Sequence, residues 1–168
     1  MHRPPLRATI RKAMPSEAPV LTELARAAKA SWGYPPHWLE QWAPDLLITP
    51  EYIETQDVFV ATLDGRIVGM TAIGVGGNGA TLEHAWINPG FHGRGLGAAL
   101  VRQALTAAAS RGASTVHVVS DPFAEPFYLR LGATRRGGLP APMPGCPDRV
   151  LPHLEFRLNG GPSPSINH

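Results

Sequence analysis

Two β-branched, apolar runs at residues 57–63 and 66–75 are separated only by Asp64 and Gly65. An Asp-Gly pair between two such runs is a strong signal for a tight β-hairpin, because its turn needs residues that tolerate positive φ. A second turn follows, and residues 81–87 continue as a third strand of the same ribbon. The front half of the chain is therefore predicted to form an antiparallel ribbon.

Helical spacing, caps and breakers give the remaining elements. Ser16 is predicted as the N-cap of the first helix, and Thr49 as the N-cap of a short helix that opens at Pro50. The other predictions are a strand at 9–11, a first helix that ends before Gly33, a long helix from Leu96 to Gly112, a strand at 115–120, a helix at about 124–130 and a strand at 154–158. The pattern is mixed α/β. We expect a single domain over residues 1–158 and a disordered tail over 159–168.

Composition narrows the class of protein. The chain has 168 residues, the size of one ordinary domain, and 43% of them are hydrophobic, which is enough for a core. No apolar run is long enough to span a bilayer and the N-terminal stretch lacks a continuous apolar core, so we expect a cytoplasmic protein. The basic residues are scattered and the net charge is only +2, which does not favour nucleic-acid binding. Cys146 is the only cysteine, and no metal site is predicted.

The segment at residues 92–97, HGRGLG, leads from the third strand directly into the long helix. Glycines there let the backbone approach a ligand closely and turn its N–H groups to one side. The helix N-terminus adds N–H donors and a partial positive charge, so the segment suits a phosphate or pyrophosphate. The alternative is a glycine-rich turn that merely starts a helix. A Rossmann site is disfavoured because the preceding strands form hairpins, and a Walker loop is excluded because no Lys-Ser/Thr pair follows the glycines.

The stretch INPGFHGRGLGAALVRQAL resembles the acetyl-CoA-binding motif of the GNAT superfamily of N-acetyltransferases. Ile87 and Pro89 match the apolar strand end and the proline of that motif, and Gly95 and Gly97 match its glycines. His92 stands where Gln or Arg is usual, a departure that a loop binding pyrophosphate through backbone N–H groups should tolerate. The residues that the resemblance assigns to acetyl-CoA are Ile87, His92, Gly93, Arg94, Gly95, Leu96, Gly97, Ala98 and Asp121.

A second family motif follows at a matching distance in DPFAEPFYLRLGA. GNAT proteins usually carry Asn-x-x-Ala-x-x-x-Tyr after the next strand, ending in Gly-Phe. Asp121, Ala124 and Tyr128 occupy the first three places, with Asp121 in place of Asn, and Ala133 stands in place of Phe. The resemblance covers nearly the whole predicted domain and is closest to one bacterial subgroup. It implies an α/β fold with a central, mostly antiparallel, twisted sheet flanked by helices, and with splayed strands at the acyl-CoA site.

The same resemblance gives candidates for proton transfer. Tyr128 is the candidate general acid toward the coenzyme A sulfur, and the alternative is a helix tyrosine that packs its ring on the sheet. Glu83 is the candidate general base, or the holder of a relaying water, because it shares one strand face with Ala85 and Ile87. The alternative is an ordinary exposed glutamate. His84 points to the opposite face and is the second choice.

The acceptor side is less constrained. Residues 31–42 are unusually aromatic, and in related folds this segment forms a wall of the acceptor pocket, which makes Trp32 and Tyr34 candidates for that wall. A hydrophobic lid packed on the core is an equally good interpretation. Arg149 is a candidate partner for an acceptor carboxylate, although a solvated loop arginine is the simpler interpretation. His117, mid-strand among valines, is interpreted as a core histidine with satisfied hydrogen bonds.

Together these features predict an acyltransferase that moves an acetyl group from acetyl-CoA to a primary amine of a small molecule or peptide, by direct attack in a ternary complex. The alternative is a non-catalytic domain that binds or senses acyl-CoA on the same fold. The presence of both Glu83 and Tyr128 favours the enzyme. The expected partners are acetyl-CoA and an amine acceptor, with no nucleic acid and no membrane, and a homodimer is an open option.

Overall fold

The computed structural model describes residues 8–76 and 79–158. Its strands are β1 (Ala8–Lys12), β2 (Asp57–Leu63), β3 (Arg66–Gly76), β4 (Gly79–Ile87), β5 (Thr115–Val119), β6 (Thr134–Pro140) and β7 (Val150–Arg157). Its α-helices are α1 (Ala18–Ala30), α2 (Pro36–Trp42), α3 (Pro50–Thr55), α4 (Leu96–Ser110) and α5 (Glu125–Arg130). The middle of the turn predicted at 76–79 and the tail predicted at 159–168 lie outside the described residues.

The seven strands of the described chain form one sheet in the order β1-β2-β3-β4-β5-β7-β6. Strand pairs β1–β2, β5–β7 and β6–β7 are antiparallel and β4–β5 is parallel, so the predicted mixed α/β fold with a mostly antiparallel sheet is confirmed. The hairpin predicted between β2 and β3 is present as well. Asp64 and Gly65 adopt φ of 49° and 84°, as a two-residue turn of this kind requires.

Strands β4 and β5 pair over a short stretch only. Among the described residues, their paired positions are Ala80 with Val116 and Thr81 with His117, although both strands continue beyond these pairs. Backbone groups past the last pair have to bond elsewhere, since buried N–H and C=O groups are rarely left unpaired. The splay that the family resemblance predicts between these strands stays a prediction.

The described chain divides into two compact units. The first comprises the described residues up to Ala72 together with His84–Gln103, and the second comprises Ile73–Glu83 together with the described residues after Gln103. The first unit packs α1 and α3 on the sheet, and its buried cluster comprises Ala18, Leu21, Leu24, Ile48, Ile53, Val58, Val60, Met70 and Ala72. Within it the Thr22 hydroxyl accepts from Ile48 N at 2.9 Å and donates to Ile48 O at 3.1 Å, which satisfies a buried peptide unit. Thr49 caps α3 as predicted, because its side chain accepts from Tyr52 N at 3.0 Å.

The second unit has its own core on one face of β5 and β7. Val116 and Val118 are buried beside Leu154 and Phe156, which the antiparallel register brings opposite them. Tyr128 of α5 lies with its ring centroid 6.4 Å from that of Phe156. Burial of these side chains stabilises the unit by about 25 cal/mol per Å² of apolar surface removed from water.

Two elements were missed from the sequence. Strand β6 is exposed along its whole length, so it carries no hydrophobic period that would mark it as a strand. Helix α2 follows Pro35 and begins at Pro36, and its single fully buried residue, Trp38, gives too short a pattern to register as a helical face. Strand β7 also begins earlier than predicted, at Val150.

The predicted cap at Ser16 is wrong. Ser16 lies inside a short 3₁₀ turn at Pro15–Glu17, and α1 begins only at Ala18. The entry is fixed instead by Glu17, whose carboxylate accepts from Met14 N at 2.8 Å and from the Arg11 guanidinium at 2.7 Å. The hydrogen bond from Arg11 lowers the pKa of Glu17, against the opposing effect of burial.

Gly69 of β3 permits a close approach between neighbouring elements of the first unit. A Cβ atom at this position would lie 2.7 Å from Ile87 Cδ1, 2.9 Å from Leu100 Cδ1 and 3.3 Å from Trp86 O. The side chains of Ile87 on β4 and Leu100 on α4 therefore fill the space that a side chain at position 69 would need.

Replacing Gly69 by alanine should lower the free energy of unfolding by about 1–3 kcal/mol, the usual cost of overpacking a core. Urea unfolding followed by circular dichroism measures it. Gly76→Ala is the matched control, because a Cβ at Gly76 would meet nothing within 4 Å. The packing argument fails if both alanine variants have the stability of the unmodified protein.

Candidate functional site

The exit from β4 is fixed by local hydrogen bonds. Asn88 N donates to Val68 O at 2.8 Å, which keeps the chain on the sheet up to this residue. The Asn88 side chain then accepts from Gly90 N at 3.1 Å and caps the short 3₁₀ turn at Pro89–Phe91. The segment at 92–97 consequently starts from a defined position and direction.

The glycines of this segment adopt conformations that other residues disfavour. Gly93 and Gly95 have φ of 80° and 76°, and a Cβ on either would meet no atom within 4 Å. The backbone here therefore faces open space, and glycine is required by its conformation and not by crowding. That this loop binds a ligand stays a prediction.

The N-terminus of α4 follows at once. Its first intrahelical bond runs from Ala99 N to Gly95 O at 3.1 Å. The N–H groups of Leu96, Gly97 and Ala98 precede that bond, so they belong to the turn whose donors a helix cannot satisfy internally. Such donors, together with the helix dipole of a 15-residue helix, favour an anionic ligand.

Two guanidinium groups lie beside the loop and flank one aromatic ring. The Arg94 guanidinium carbon is 5.3 Å from the centroid of Phe91, and that of Arg66 is 5.7 Å from it. Both arginines are exposed and add positive charge at this end of the first unit. Arg66 and Phe91 were not singled out in the sequence, because Arg66 is distant along the chain and only the fold brings it to the loop.

The two candidate bases on β4 have different surroundings. Glu83 is exposed. His84 is half-buried, its Nδ1 accepts from Trp86 Nε1 at 2.9 Å, and its ring lies edge-on to Tyr52 at 5.7 Å. The accepting role of Nδ1 assigns the proton of a neutral His84 to Nε2. His84 is thus committed to packing in the first unit, which favours Glu83 of the two.

Tyr128 is buried in the second unit, and its ring contacts Phe127 at 5.1 Å between centroids. Burial raises the pKa of the Tyr128 hydroxyl above its ordinary value, and the negative charge of Asp121 raises it further. The hydroxyl is therefore protonated at neutral pH. Asp121 itself accepts from Phe123 N at 2.9 Å, so it caps a 3₁₀ turn in the position where the family usually has Asn.

The aromatic segment forms a cluster in the first unit. The ring of Tyr34 is stacked on Trp38 at 5.7 Å and meets Trp42 edge-on at 4.9 Å. The Lys29 ammonium lies 4.3 Å from the centroid of Trp42 and 5.2 Å from that of Tyr34. Trp32, the other predicted wall residue, is half-buried just after α1, and its backbone N–H donates to the Lys29 carbonyl oxygen at 3.3 Å.

Two residues of the second unit that the sequence singled out, Arg149 and His117, have different surroundings. Arg149 is half-buried and donates from Nη1 to Ala141 O at 3.3 Å, so at least part of its role is to hold its own loop. His117 does have a hydrogen-bond partner, His153, as expected. It is not a core residue, however, since its side chain is 36% exposed and it lies on the strand face opposite buried Val116. The neighbouring valines were misleading because they alternate to the other face.

Neither a metal-binding group nor a membrane-spanning helix is found in the part of the chain that the structure describes. Within residues 8–76 and 79–158, no group of three or more His, Cys, Asp or Glu side chains has an arrangement that could hold a metal ion. None of the helices in the same residues combines the length and hydropathy needed to cross a bilayer.

Residues 19–133 match the model of the acetyltransferase (GNAT) family. The chain belongs to this family. Its predicted membership is therefore confirmed, and with it the general chemistry of acyl transfer. A search among curated proteins found no significant match.

Solved structures of GNAT proteins share the fold. A GCN5-related N-acetyltransferase from Rhodopseudomonas palustris has a TM-score of 0.76 at 20% identity, over 94% of this chain and 100% of that one. The PaiA N-acetyltransferase from Thermoplasma acidophilum, in complex with coenzyme A, has a TM-score of 0.75 at 17% identity, over 90% and 99% of the two chains. A GNAT acetyltransferase from Brucella melitensis, in complex with acetyl-CoA, has a TM-score of 0.61 at 20% identity, over 76% and 83%. Identities this low establish a common fold and no more.

Proposed function

We propose that this GNAT protein transfers an acetyl group from acetyl-CoA to a primary amine of a small molecule or peptide, by direct attack in a ternary complex. The observation that carries the proposal is the open loop at 92–97, with Gly93 and Gly95 at positive φ and the α4 N–H groups behind it. The coenzyme A and acetyl-CoA complexes of the neighbours from Thermoplasma acidophilum and Brucella melitensis support this choice of acyl donor.

In this proposal the loop binds the pyrophosphate of acetyl-CoA. The N–H groups of Leu96, Gly97 and Ala98 donate to phosphate oxygens, and the helix dipole favours the negative charge. Arg94 contributes charge, whereas His92 contributes its backbone. The main chain near Ile87 pairs with the amide groups of the pantetheine arm, in the manner of an added strand.

Tyr128 is assigned the proton delivered to the coenzyme A sulfur. Its raised pKa keeps the hydroxyl in the donor form at the pH of the reaction. A thiolate leaves more easily when it is protonated as the C–S bond breaks. Asp121, which caps the turn before α5, acts here through its charge on Tyr128 and through the conformation of the turn.

Glu83 is assigned the proton lost by the amine, directly or through a water. A primary amine is mostly protonated at neutral pH, because the reference pKa of an alkylamine such as lysine is about 10.4. Some group must therefore accept a proton before the nitrogen can attack. Glu83 is exposed on β4, and His84 is held by Trp86 and Tyr52, which supports the choice of Glu83.

The acceptor is assigned to the aromatic segment. Tyr34 and Trp32 supply flat, apolar surface of the kind that binds the body of a small amine. The Lys29 ammonium lies over Tyr34 and Trp42, which shows that the ring faces of this cluster attract a cation. An acceptor-library screen with release of coenzyme A as the readout tests the function. Binding of acetyl-CoA without release for any amine would instead indicate a non-catalytic domain.

The Gly95 position distinguishes charge from conformation. Asn and Asp tolerate positive φ better than other non-glycine residues and are nearly identical in shape, so Gly95→Asn and Gly95→Asp form a matched pair. We expect Gly95→Asp to bind acetyl-CoA at least about tenfold more weakly than Gly95→Asn, because a carboxylate there repels pyrophosphate. Isothermal titration measures both affinities, and equal values would remove the loop from the binding site.

Tyr128→Phe keeps the ring and removes only the hydroxyl. The expected result is a kcat lower by about 10²-fold or more, with nearly unchanged affinity for acetyl-CoA. Stability supplies a control: the folded pKa lies above the unfolded one, so wild-type stability falls as pH rises above about 10, and the Phe variant lacks this loss. A fully active Phe variant would exclude Tyr128 from the mechanism.

Glu83→Gln keeps the shape of the side chain and cannot take up a proton. The variant should lose rate at neutral pH and recover part of it at high pH, where free amine becomes abundant. A pH–rate profile of kcat/KM for both proteins decides the point. If the two profiles coincide, the proton acceptor lies elsewhere on the molecule.

A further inference from the structure

Three titratable side chains meet on β5 and β7 of the second unit. His117 Nδ1 lies 3.2 Å from His153 Nε2, within hydrogen-bond distance. The Glu155 carboxylate oxygen Oε2 is 3.9 Å from the same His117 nitrogen. The antiparallel register explains the cluster, because it places His117 opposite Glu155 and puts His153 two pairs further along, on the same face.

This cluster lies on the same sheet face as Glu83. Thr81 is the parallel partner of His117, so the two share a face, and Glu83 is two residues further along β4 on that face. The register therefore sets Glu83 one diagonal step along β4 from His117, on the face that carries the cluster.

A single hydrogen lies between the facing ring nitrogens of His117 and His153. Two ring nitrogens in contact can be bonded only if one is protonated and the other is not. When the pair takes up a further proton, His117 Nδ1 donates to His153 Nε2 and Glu155 compensates the positive charge. The other ring nitrogen of His117, Nε2, then remains to exchange protons, and the side chain is 36% exposed and therefore reachable.

We propose that His117, backed by His153 and Glu155, is a proton relay that takes the acceptor's proton from Glu83. This inference rests on the proposed function. Imidazole is the side chain suited to exchange protons at neutral pH, whereas an ordinary carboxylate holds a proton poorly there. His117 is a positioning residue in this scheme, since it acts through Glu83 and does not touch the substrate.

The proton balance is complete. The acceptor ammonium gives its first proton to Glu83, and Glu83 passes it to His117 Nε2 and then to water. The amine nitrogen forms the C–N bond as the C–S bond breaks, the thiolate takes the Tyr128 proton, and the second proton of the amine restores Tyr128. The sum is ammonium plus thioester giving amide, thiol and one released proton.

The charged groups that share the face of the pair come from two strands. They are Glu83 from β4, and Glu155 with Arg157 from β7, the Arg157 Nε being 3.7 Å from Glu155 Oε1. On β6 the residues opposite Glu155 and His153 are Thr134 and Gly137, which carry no charge. A change of Glu155 should therefore act on the pair more strongly than a change on β6.

The first test needs no acceptor. Proton NMR at one neutral pH compares the ring C–H signals of His117 in wild type, His153→Asn and Glu155→Gln. Since His117 lies within hydrogen-bond distance of His153 and beside Glu155, both variants should move its ring signals. His117 signals that are unchanged in both variants would overturn the pair.

The second test separates relay from structure with two nucleophiles. Benzylamine is protonated at neutral pH and needs a proton acceptor, whereas hydroxylamine is mostly neutral and does not. For His117→Gln we expect an about 10²-fold lower kcat/KM toward benzylamine at pH 7, with the rate toward hydroxylamine, corrected for the uncatalysed reaction, nearly retained. Thr134→Val, on the same face and outside the proposed machinery, should match wild type with both.

The outcomes are distinct. Equal losses with both nucleophiles, or a wild type that acetylates hydroxylamine but not benzylamine, would overturn the relay and leave the proposed function standing. A wild type that acetylates neither probe, nor any amine of the acceptor library, would overturn the proposed function and the relay with it. If His117→Gln fails to fold, His117→Asn and Glu155→Gln make the same comparison.

Discussion

Among the described residues, strands β4 and β5 pair at only two positions, and this short parallel register fixes which residues of the two strands lie side by side. Parallel strands normally bond along their whole shared length, and here the pairing stops at Thr81 and His117. The register places Thr81 beside His117, so it also decides which residues of β4 share a face with the histidine pair. In the proposed function, the main chain further along β4, near Ile87, is assigned to the pantetheine arm.

The proposed chemistry is divided between backbone and side chains. The proposal assigns anion binding to backbone N–H groups, which cannot titrate and which Gly93 and Gly95 expose through positive φ. It assigns proton transfer to side chains of the second unit, where burial keeps Tyr128 protonated.

Several local features of the fold, and the loop of the candidate site, could be predicted from the sequence. The Asp64-Gly65 turn, the Thr49 cap and the glycine loop depend on residues within a few positions of each other, so their physics is complete in the sequence. The partners of those residues were not predictable. Arg66 reaches Phe91 only because β3 and β4 are neighbours, and the interpretation of His117 as a core residue failed because two valines that alternate with it face the other way.

The sequence by itself determined the mixed α/β order, the strand-to-helix glycine loop and the motif spacing that identifies the family, since each arises from short-range periodicity and turn chemistry. Tertiary structure decided which titratable groups meet. His117 and His153 are 36 residues apart and come together only through the β5–β7 register. Tyr128 acquires its raised pKa from burial, with its ring beside Phe156 of β7. Burial and cross-strand proximity are properties of the packed chain, and no local pattern encodes them.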